Sequence, residues 1–439
     1  MTIEQLEQAV KDYQTSEIYQ WLLNGKRYYD GDHDIKKRER KDADGKVLEN
    51  LPNSKLVHPF LWKIINQEVD FLMGRNFLVA SGNKTLTDAF TDDLRDVIRQ
   101  GVIESLSGGY AFLQVYFTSE GVLKFKVIPS EQIVPVWDDI YEKTTLESVI
   151  RAYITKKDDK DIKVMEYYSA EEVTTYVDDG SEWRQVESAS HFIGEVDGDL
   201  YNFAWGRVPF VIFDLYGGKA TLLQFIKPLI DNYDLIRSDM SNVISDVFYP
   251  FLVIKNIGGG TSTSEERTEL RRKIMQERIA FVFENGGIDT LSLEMDVNIV
   301  EKHLEVLRRD IYDFAMAIDM QRIEMGNRSG QSLKFVFADL DIKSNSTAKK
   351  IEKAIRDMVW FIINGVEVDC SIVWNKDIII NEMEVIEMCQ KSRSIISEHT
   401  ILENHPWVND VDKEKELIQK EGLEEYGGSD YNFKGGNGN

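Results

Sequence analysis

Several groups of residues in this sequence have types and spacings that could do chemistry, and each departs from the motif it suggests. The segment Gly217–Thr221 (GGKAT) is the nearest approach to a phosphate-binding loop. A Walker A loop needs the pattern G-x-x-x-x-G-K-[ST], in which the final hydroxyl holds magnesium. Phe213 stands at the position of the first glycine and Ala220 at that of the hydroxyl. No nucleotide site is therefore predicted.

Asp30, Asp32 and Asp34 have the alternating spacing that begins an EF-hand calcium loop. Such a loop requires a glycine at its sixth position and a bidentate glutamate at its twelfth. Those two positions hold Ile35 and Lys41. We therefore expect a solvated turn here and no calcium site.

Histidine and cysteine, the commonest metal ligands and nucleophiles, are few. The histidines are His33, His58, His191, His303, His399 and His405, and the cysteines are Cys370 and Cys389. None of them forms the HExxH or CxxC patterns, and none lies in a known nucleophile motif. The sequence therefore predicts no catalytic residue, no metal ligand and no cofactor. So few cysteines are typical of a chain made in a reducing compartment.

The elements that would position any site divide the chain into two halves, of which the first mixes helices and strands. Helices are expected over residues 3–30, from Pro59 to Gly74, and through the apolar positions Leu86, Phe90, Leu94 and Val97. From Tyr110 the apolar period changes to two, which predicts a hairpin with its turn at Gly121.

Further short strands follow this hairpin at regular spacing. They are expected at Ser148–Ile154, Lys163–Tyr168, Val173–Val177, Trp183–Val186 and Val208–Phe213. Strands that alternate with turns in this way indicate an antiparallel sheet. Together with the helices they predict an α+β fold class.

The second half contains two segments whose apolar residues alternate between separations of four and three, the repeat of a long helix with one narrow apolar seam. The first seam is Leu222, Ile226, Leu229, Tyr233, Ile236, Met240, Val243 and Val247. The second is Val300, Leu304, Leu307, Ile311, Phe314 and Ile318. Pro228 should kink the first helix or mark its start. A narrow seam favours packing against copies of the chain or within an intramolecular helical hairpin, and the pattern leaves both open.

The residues between the two seam helices predict a small projecting unit. Strands are expected at Phe251–Ile254 and Ile279–Phe283, a charged helix at Ser264–Arg278 and a turn at Gly286-Gly287. After the second helix, the polar segment Gln321–Ser332 predicts a loop.

A long kinked helix should begin at Leu333, pass a polar break at Lys343–Ser346 and end at Asn364-Gly365. A hairpin of Val366–Trp374 with Asp377–Ile380 is expected to follow it around Asn375-Lys376. The acidic C-terminal part should be helical from Asn381, and the glycine-rich last residues should be disordered.

Charge and composition exclude some classes of function. The 439-residue chain has a net charge of −24 and a pI of about 4.8, which is unlike a stand-alone DNA-binding protein. The excess of acid serves solubility or keeps polyanions from adhering, and both interpretations stay open. The N-terminal residues lack the regions of a signal peptide, and no apolar run is long enough to span a membrane.

Several stretches, in order along the chain, resemble the portal proteins of long-tailed phages of Gram-positive hosts. They are Tyr28–Ile35 (YYDGDHDI), Val69–Arg75 (VDFLMGR), Gly109–Val115 (GYAFLQV), Phe125–Ile133 (FKVIPSEQI), Ser329–Phe335 (SGQSLKF) and His405–Val408 (HPWV). The resemblance covers roughly residues 5–420, nearly the whole chain.

The resemblance implies a phage portal fold with a wing, a long-helix stem, a small α/β clip and a helical crown. The implied regions are a wing at 1–218 and 333–380, stem helices at 219–247 and 299–320, a clip at 248–298, a tunnel loop at 321–332, a crown at 381–426 and a disordered tail at 427–439. It also implies a homo-oligomeric ring, usually a dodecamer, at one capsid vertex, which no membrane anchors.

The resemblance further implies a non-enzymatic channel for DNA packaging and ejection, in the virion and, during assembly, in the host cytoplasm. The implied partners are the terminase large subunit, the head–tail adaptor, the major capsid and scaffolding proteins, and double-stranded DNA held without sequence specificity. Two alternatives are another oligomeric phage structural or adaptor protein and a carboxylate-dependent DNA-processing enzyme. A helical scaffold or adaptor protein of the host is a third.

Three sets of candidate site residues follow from this assignment. The tunnel loop nearest DNA would comprise Met325, Gly326, Asn327, Arg328, Ser329, Gly330 and Gln331. Lys302 and Arg309 are the candidate basic residues of the tunnel lining, unless Arg308 and Arg309 pair instead with carboxylates on neighbouring helices. The candidate clip contacts to terminase or adaptor are Arg267, Arg271, Arg272 and Arg278.

Overall fold

The structure is a computed structural model of the chain. It describes residues 1–41, 44–47, 51–81, 83–139, 145–157, 160–180, 182–196, 199–217, 221–247, 251–255, 265, 287–291, 296–322, 330–366, 368–375, 382–393, 395–403, 405–408 and 411–427.

Helices and strands alternate through the described residues. The α-helices are α1 (Ile3–Thr15), α2 (Glu17–Tyr29), α3 (Phe60–Met73), α4 (Lys84–Ala89), α5 (Asp92–Gly108), α6 (Leu223–Val247), α7 (Val297–Phe314), α8 (Gly330–Ile362), α9 (Glu382–Lys391), α10 (Glu398–Glu403) and α11 (Val411–Gly427). The strands are β1 (Leu78–Ala80), β2 (Tyr110–Phe117), β3 (Leu123–Ile128), β4 (Ile133–Trp137), β5 (Leu146–Lys157), β6 (Lys160–Tyr168), β7 (Glu172–Asp178), β8 (Trp183–Ser190), β9 (Phe192–Val196), β10 (Asp199–Phe203), β11 (Phe210–Asp214), β12 (Phe251–Lys255), β13 (Gly287–Leu291) and β14 (Ser371–Val373).

Every strand pairing in the part of the chain that the structure describes is antiparallel, so the predicted α+β class is confirmed. The largest sheet is a meander in the order β4-β5-β6-β7-β8, and a second has the order β11-β2-β3. Three two-stranded pairs complete the set: β1 with β14, β9 with β10, and β12 with β13. The strands predicted between residues 110 and 213 are confirmed, whereas β1, β4, β9 and β10 were not predicted.

The main core lies between the helices and the three-stranded sheet. It contains Ile64 of α3, Val102 of α5, Phe213 of β11, Ile226 of α6 and Ile355 of α8, each fully buried. A smaller core holds α1 against the five-stranded sheet through Leu6, Ile150 and Met165. The long helices α6 and α8 are thus packed into the main core of the chain.

One predicted helix of the first half is in fact two. The helix expected through Leu86, Phe90, Leu94 and Val97 is interrupted at Phe90, between α4 and α5. Thr91 caps α5 by accepting a hydrogen bond from the Leu94 N–H at 3.4 Å. An N-cap residue has an extended backbone, so the helix could not continue through it.

The second seam helix is shorter than its repeat predicted. α7 ends at Phe314, and Met316 adopts a positive φ of 50°. Ile318 is buried beyond the end of the helix, while Phe314 is 66% exposed. The seam was therefore wrong at its last two positions, because the helix ends at Phe314 and Ile318 is buried from the segment that follows the turn.

The long helix after it is continuous where a polar break was predicted. α8 passes through Lys343–Ser346 without interruption, and Asn364 and Gly365, with φ of 53° and 83°, follow its end as expected. Ser344 and Thr347 are buried. Both residues face the interior, where Thr347 donates a hydrogen bond to Glu68 at 2.7 Å, so the polar stretch is buried within the helix and is not a break.

The predictions for the tip unit and the C-terminal part are met in part. β12 confirms the first strand, but its partner β13 begins at Gly287, where a turn was predicted. The predicted strand Ile279–Phe283 and, apart from Glu265, the helix Ser264–Arg278 lie outside the described residues. β14 pairs with β1, and the second arm Asp377–Ile380 of the predicted hairpin is likewise outside them. So are the last residues of the chain, which were expected to be disordered.

None of the helices in the described ranges combines the length and apolar character needed to cross a bilayer.

Candidate functional site

The two seam helices, α6 and α7, pack against each other within one subunit. Phe60 of α3 lies between them, with its ring 5.0 Å from that of Tyr233 and 6.0 Å from that of Tyr312. Leu304, Leu307 and Ile311 of the second seam are buried. Of the two predicted modes of packing, the intramolecular helical hairpin is therefore present.

A second face of α6 carries buried polar side chains at intervals of four residues. Asp234, Ser238 and Asn242 are at most 2% exposed. Their side-chain oxygens accept hydrogen bonds from the backbone N–H groups of His58 at 2.9 Å, Leu56 at 2.9 Å and Ser54 at 2.7 Å. We call these three side chains the polar ladder.

The polar ladder works because two periodicities coincide. Four residues of an α-helix rise about 6.0 Å. Two residues of an extended chain rise about 6.6 Å, and their N–H groups point the same way. An extended segment laid along α6 can therefore donate from every second residue to every fourth helical residue, which is how 54–58 binds.

Asp234 also joins two histidines. One carboxylate oxygen is 2.6 Å from His33 Nδ1, and the other is 2.8 Å from His58 Nδ1. His33 is fully buried, its Nε2 lies 3.2 Å from the Tyr28 carbonyl, and its ring stacks on that of Tyr28. A carbonyl only accepts, so Nε2 carries a proton.

Charged groups extend this cluster towards the start of α6. Lys227 Nζ lies 2.6 Å from both Asp34 and Asp231, and Arg27 is 2.8 Å from Asp34. The Tyr28 hydroxyl donates to Asp231. Burial alone would raise the pKa of Asp34, but the hydrogen bonds from Lys227 and Arg27 outweigh it and hold that pKa well below its usual value. Burial and the bond to Asp231 raise the pKa of Tyr28.

The segment Tyr28–Ile35, which contributed to the family resemblance, therefore docks on α6. The solvated turn expected at Asp30–Asp34 is wrong for Asp34, which belongs to an ion-pair network. The available signal was the four-residue spacing of polar side chains along α6. An apolar seam beside it concealed that spacing, since polar helical residues are usually assigned to solvent.

A second buried polar cluster fixes the chain that leads to the predicted tunnel loop. Gln67 of α3 accepts from the Ile318 N–H at 2.8 Å and donates to the Ile318 carbonyl at 3.0 Å. Arg308 donates twice to Asp319, at 2.7 and 2.8 Å. Burial alone would raise the pKa of Asp319. The hydrogen bonds from Arg308 and the Gln321 N–H together have the larger, opposite effect, so that pKa is lowered from its usual value.

The same cluster ties this chain to α8. Lys343 Nζ lies 2.7 Å from the buried carboxylate of Glu68 and donates to the Ala315 carbonyl at 3.0 Å. Thr347 donates to the other oxygen of Glu68 at 2.7 Å. We call Ala315–Asp319 the loop root. Contacts from α3, α7 and α8 hold it.

Two of the candidate site residues, Lys302 and Arg309, lie on α7. Lys302 is exposed on α7, seven residues before Arg309 and on the same face. Arg309 lies 2.9 Å from Asp310 and 3.9 Å from Asp313, both on its own helix. Arg308, by contrast, pairs with Asp319 beyond that helix.

Most of the other candidates lie outside the described residues. These are Met325, Gly326, Asn327, Arg328 and Ser329 of the loop, and Arg267, Arg271, Arg272 and Arg278 of the tip. Gly330 and Gln331 were assigned to the loop but form the first turn of α8, so the predicted loop extended too far. At its other end, Gln321 lies in a short 3-10 helix, Met320–Arg322.

Comparison with known proteins gives a family match and distant structural likenesses. The profile of the family described as phage portal protein, SPP1 Gp6-like, matches residues 8–427. The portal protein of Bacillus phage SPP1 is 26% identical over 430 residues, covering 91% of this chain and 83% of that protein. The portal protein of Clostridium phage phiCD119 is 26% identical over 423 residues, covering 92% of each.

Among solved structures, a chain of the neck of a native gene transfer agent particle, computed with C12 symmetry, has a TM-score of 0.43 and 10% identity, covering 78% of this chain and 88% of that one. A chain of the native gene transfer agent virion has a TM-score of 0.40 and 11% identity, with the same coverage.

Proposed function

This chain belongs to the SPP1 Gp6-like family of phage portal proteins, and from that premise we propose that it forms a ring at one capsid vertex whose channel carries DNA during packaging and ejection. The observation that carries the proposal is the family match over residues 8–427. We take the ring to be a dodecamer, a closed cyclic assembly in which each subunit makes one head-to-tail contact on either side.

The arrangement of α6, β12, β13 and α7 supports this function. The strands β12 and β13 pair with each other, and they connect in sequence to the end of α6 and the start of α7. The two helices pack together and are fastened to the body by α3. Such a pair forms a stem for a small tip. The wing, clip and crown assigned by the resemblance are proposed on the same basis.

The distribution of charge suits a channel through which DNA must pass without binding tightly. Each phosphate neutralised by Lys or Arg adds strongly salt-dependent affinity for DNA. In our proposal Lys302 and Arg309 face the channel together with Arg328 of the tunnel loop. Asp310 and Asp313 neutralise part of the charge of Arg309. Sparse and partly compensated cations would let DNA slide.

The proposed partners follow from the ring. The arginines of the tip, Arg267, Arg271, Arg272 and Arg278, would contact the terminase large subunit and later the head–tail adaptor. Major capsid and scaffolding proteins would contact the ring during assembly in the host cytoplasm, and the finished ring would lie in the virion. Energy for DNA movement would come from the terminase, so the ring itself would be non-enzymatic.

The first experiment is negative-stain electron microscopy of the purified protein at two concentrations. Stalked rings with a central hole are the expected result, and monomers or small closed oligomers at both concentrations would contradict the proposal. The DNA contacts are then tested by packaging assays on Arg328→Ala and Arg309→Ala rings. Arg184→Ala, on the five-stranded sheet, is the matched control. Uptake and retention equal to the control in both variants would refute the proposed contacts.

A further inference from the structure

The β9–β10 hairpin is an isolated two-stranded element with an uncovered apolar face. Among the described strands, β9 and β10 hydrogen-bond only to each other. Their register puts Ile193 opposite Asn202 and Leu200 opposite Glu195, so Ile193 and Leu200 share one face, where they are 68% and 74% exposed. A lone hairpin is at best marginally stable in water.

The opposite face of the hairpin anchors it to the subunit. Phe192 and Phe203 stack at 5.6 Å, and Phe192 lies 4.9 Å from both Phe117 and Trp205. Trp205 in turn packs edge-on against Phe361 of α8 at 5.2 Å. The base of the hairpin is therefore fixed by aromatic packing, while Ile193 and Leu200 on its other face are exposed.

A long stripe of α8 is also uncovered. Phe335 and Ile342 are 83% and 60% exposed. Lys349 and Arg356, at further intervals of seven, are exposed on the same face, and so is Lys353. The opposite face is buried in the main core, with Ile351 and Ile355 fully inaccessible. The stripe is thus apolar at its N-terminal end and basic at its C-terminal end.

We propose that the exposed face of the β9–β10 hairpin docks on the exposed α8 stripe of the neighbouring copy of the chain. This inference rests on the ring of the proposed function. A ring needs a head-to-tail contact in which two different surfaces of one subunit are complementary. Within one chain the stripe is exposed, so its own hairpin does not cover it.

The two surfaces are complementary in charge as well as in apolar character. Residues 192–203 contain three acidic residues, Glu195, Asp197 and Asp199, and no Lys or Arg. The stretch from Ser346 to Arg356 contains four Lys or Arg and one Glu. Ile193 and Leu200 match the apolar end of the stripe, and the net charges of the two segments are opposite in sign, −3 for residues 192–203 and +3 for residues 346–356. Opposite charges at the rim of a contact favour the correct partner and speed its encounter.

The test is oxidative cross-linking of assembled rings that carry Leu200→Cys and Ile342→Cys together. The expected result is a ladder of covalent oligomers extending to the full ring on a non-reducing gel. Mixed rings made from the two single variants should give covalent dimers only, because each cross-link needs one cysteine from each subunit. Val186→Cys with Ile342→Cys is the matched control, since Val186 is 58% exposed on β8.

The outcomes separate the two proposals. Rings that form but give no more cross-linking than the control overturn the hairpin contact and leave the portal ring intact. Absence of rings overturns both. A charge test is independent. Asp199 pairs with Val196 on the anchored face, so Asp199→Lys changes the net charge at the rim of the contact and leaves Ile193 and Leu200 in place. It should weaken assembly about tenfold, and adding Lys349→Asp and Lys353→Asp should restore it. No weakening, or no rescue, would count against the contact.

Discussion

Replacing Asp234 by alanine should release the segment 54–58 from α6 while the rest of the subunit stays folded. Asp234 accepts hydrogen bonds from the His58 N–H at 2.9 Å and from His58 Nδ1 at 2.8 Å, and it lies 2.6 Å from His33 Nδ1. Both Asp234 and His33 are fully buried. The alanine variant leaves His33 Nδ1 and the His58 N–H without an acceptor.

The size of the effect follows from that burial. Removing the Asp234 carboxylate leaves the polar groups of His33 and His58 without their acceptor, at a cost of about 1–3 kcal/mol for each buried group. Ser238 and Asn242 still hold the remaining two N–H groups, each for about 1 kcal/mol. The free energy of local opening should therefore fall by about 3 kcal/mol or more. This corresponds to faster amide exchange in 54–58 by about a hundredfold or more.

Hydrogen exchange followed by mass spectrometry measures this directly on assembled protein. Asp239→Ala is the matched control on the same helix: its carboxylate is 48% exposed and pairs with Arg38 at 2.8 Å. Such a surface pair is worth under about 1 kcal/mol. Asp234→Asn keeps the shape and an acceptor for His58, so it should lie between the two. Equal exchange in Asp234→Ala and Asp239→Ala would refute the role assigned to the polar ladder.

Two further predictions concern acid and packing. The pKa values of Asp34 and Asp319 lie below their usual 3.8, so the stability they contribute is present above about pH 4 and is lost as the pH falls through the lowered values. Thermal unfolding between pH 7 and pH 2 should show this loss reduced in Asp319→Asn, and an unchanged acid limb would contradict it. Gly25→Ala should destabilise the contact of α2 with α5 by about 1–3 kcal/mol, because its Cβ would lie 1.9 Å from the Ser107 carbonyl oxygen. Gly31→Ala is the comparison in the same melting experiment: Gly31 has a positive φ of 72° and no atom within 4 Å of an added Cβ, so that variant measures backbone strain without a clash.

Local patterns predicted those elements whose signals are carried by neighbouring residues. The ends of α3 and α8 followed from Pro59, Gly74 and Asn364-Gly365, and the β2–β3 hairpin followed from its alternation. Each of these depends on backbone preferences within a few residues. The family resemblance, now supported by the match over residues 8–427, depended on short motifs in a fixed order.

Polar groups buried through long-range contacts were not predictable in this way. The stretch Lys343–Ser346 looked like a break in α8 because the sequence does not show that Glu68, nearly three hundred residues earlier, is the partner of Lys343. The polar ladder was missed for the same reason, since its donors are backbone N–H groups that have no side-chain signature. The end of α7 was misplaced because Ile318 continues the repeat although the chain turns before it.

The polar ladder also makes the length of the segment between Ser54 and His58 critical. The N–H groups that it binds come from alternate residues of an extended chain, so a one-residue insertion between Ser54 and His58 would point the next N–H away from α6. Correcting such a shift would need a slip of a whole helical turn. We therefore expect changes in loop length among related proteins to lie before Leu51 and to be absent from the stretch between Ser54 and Pro59, the residue that precedes α3.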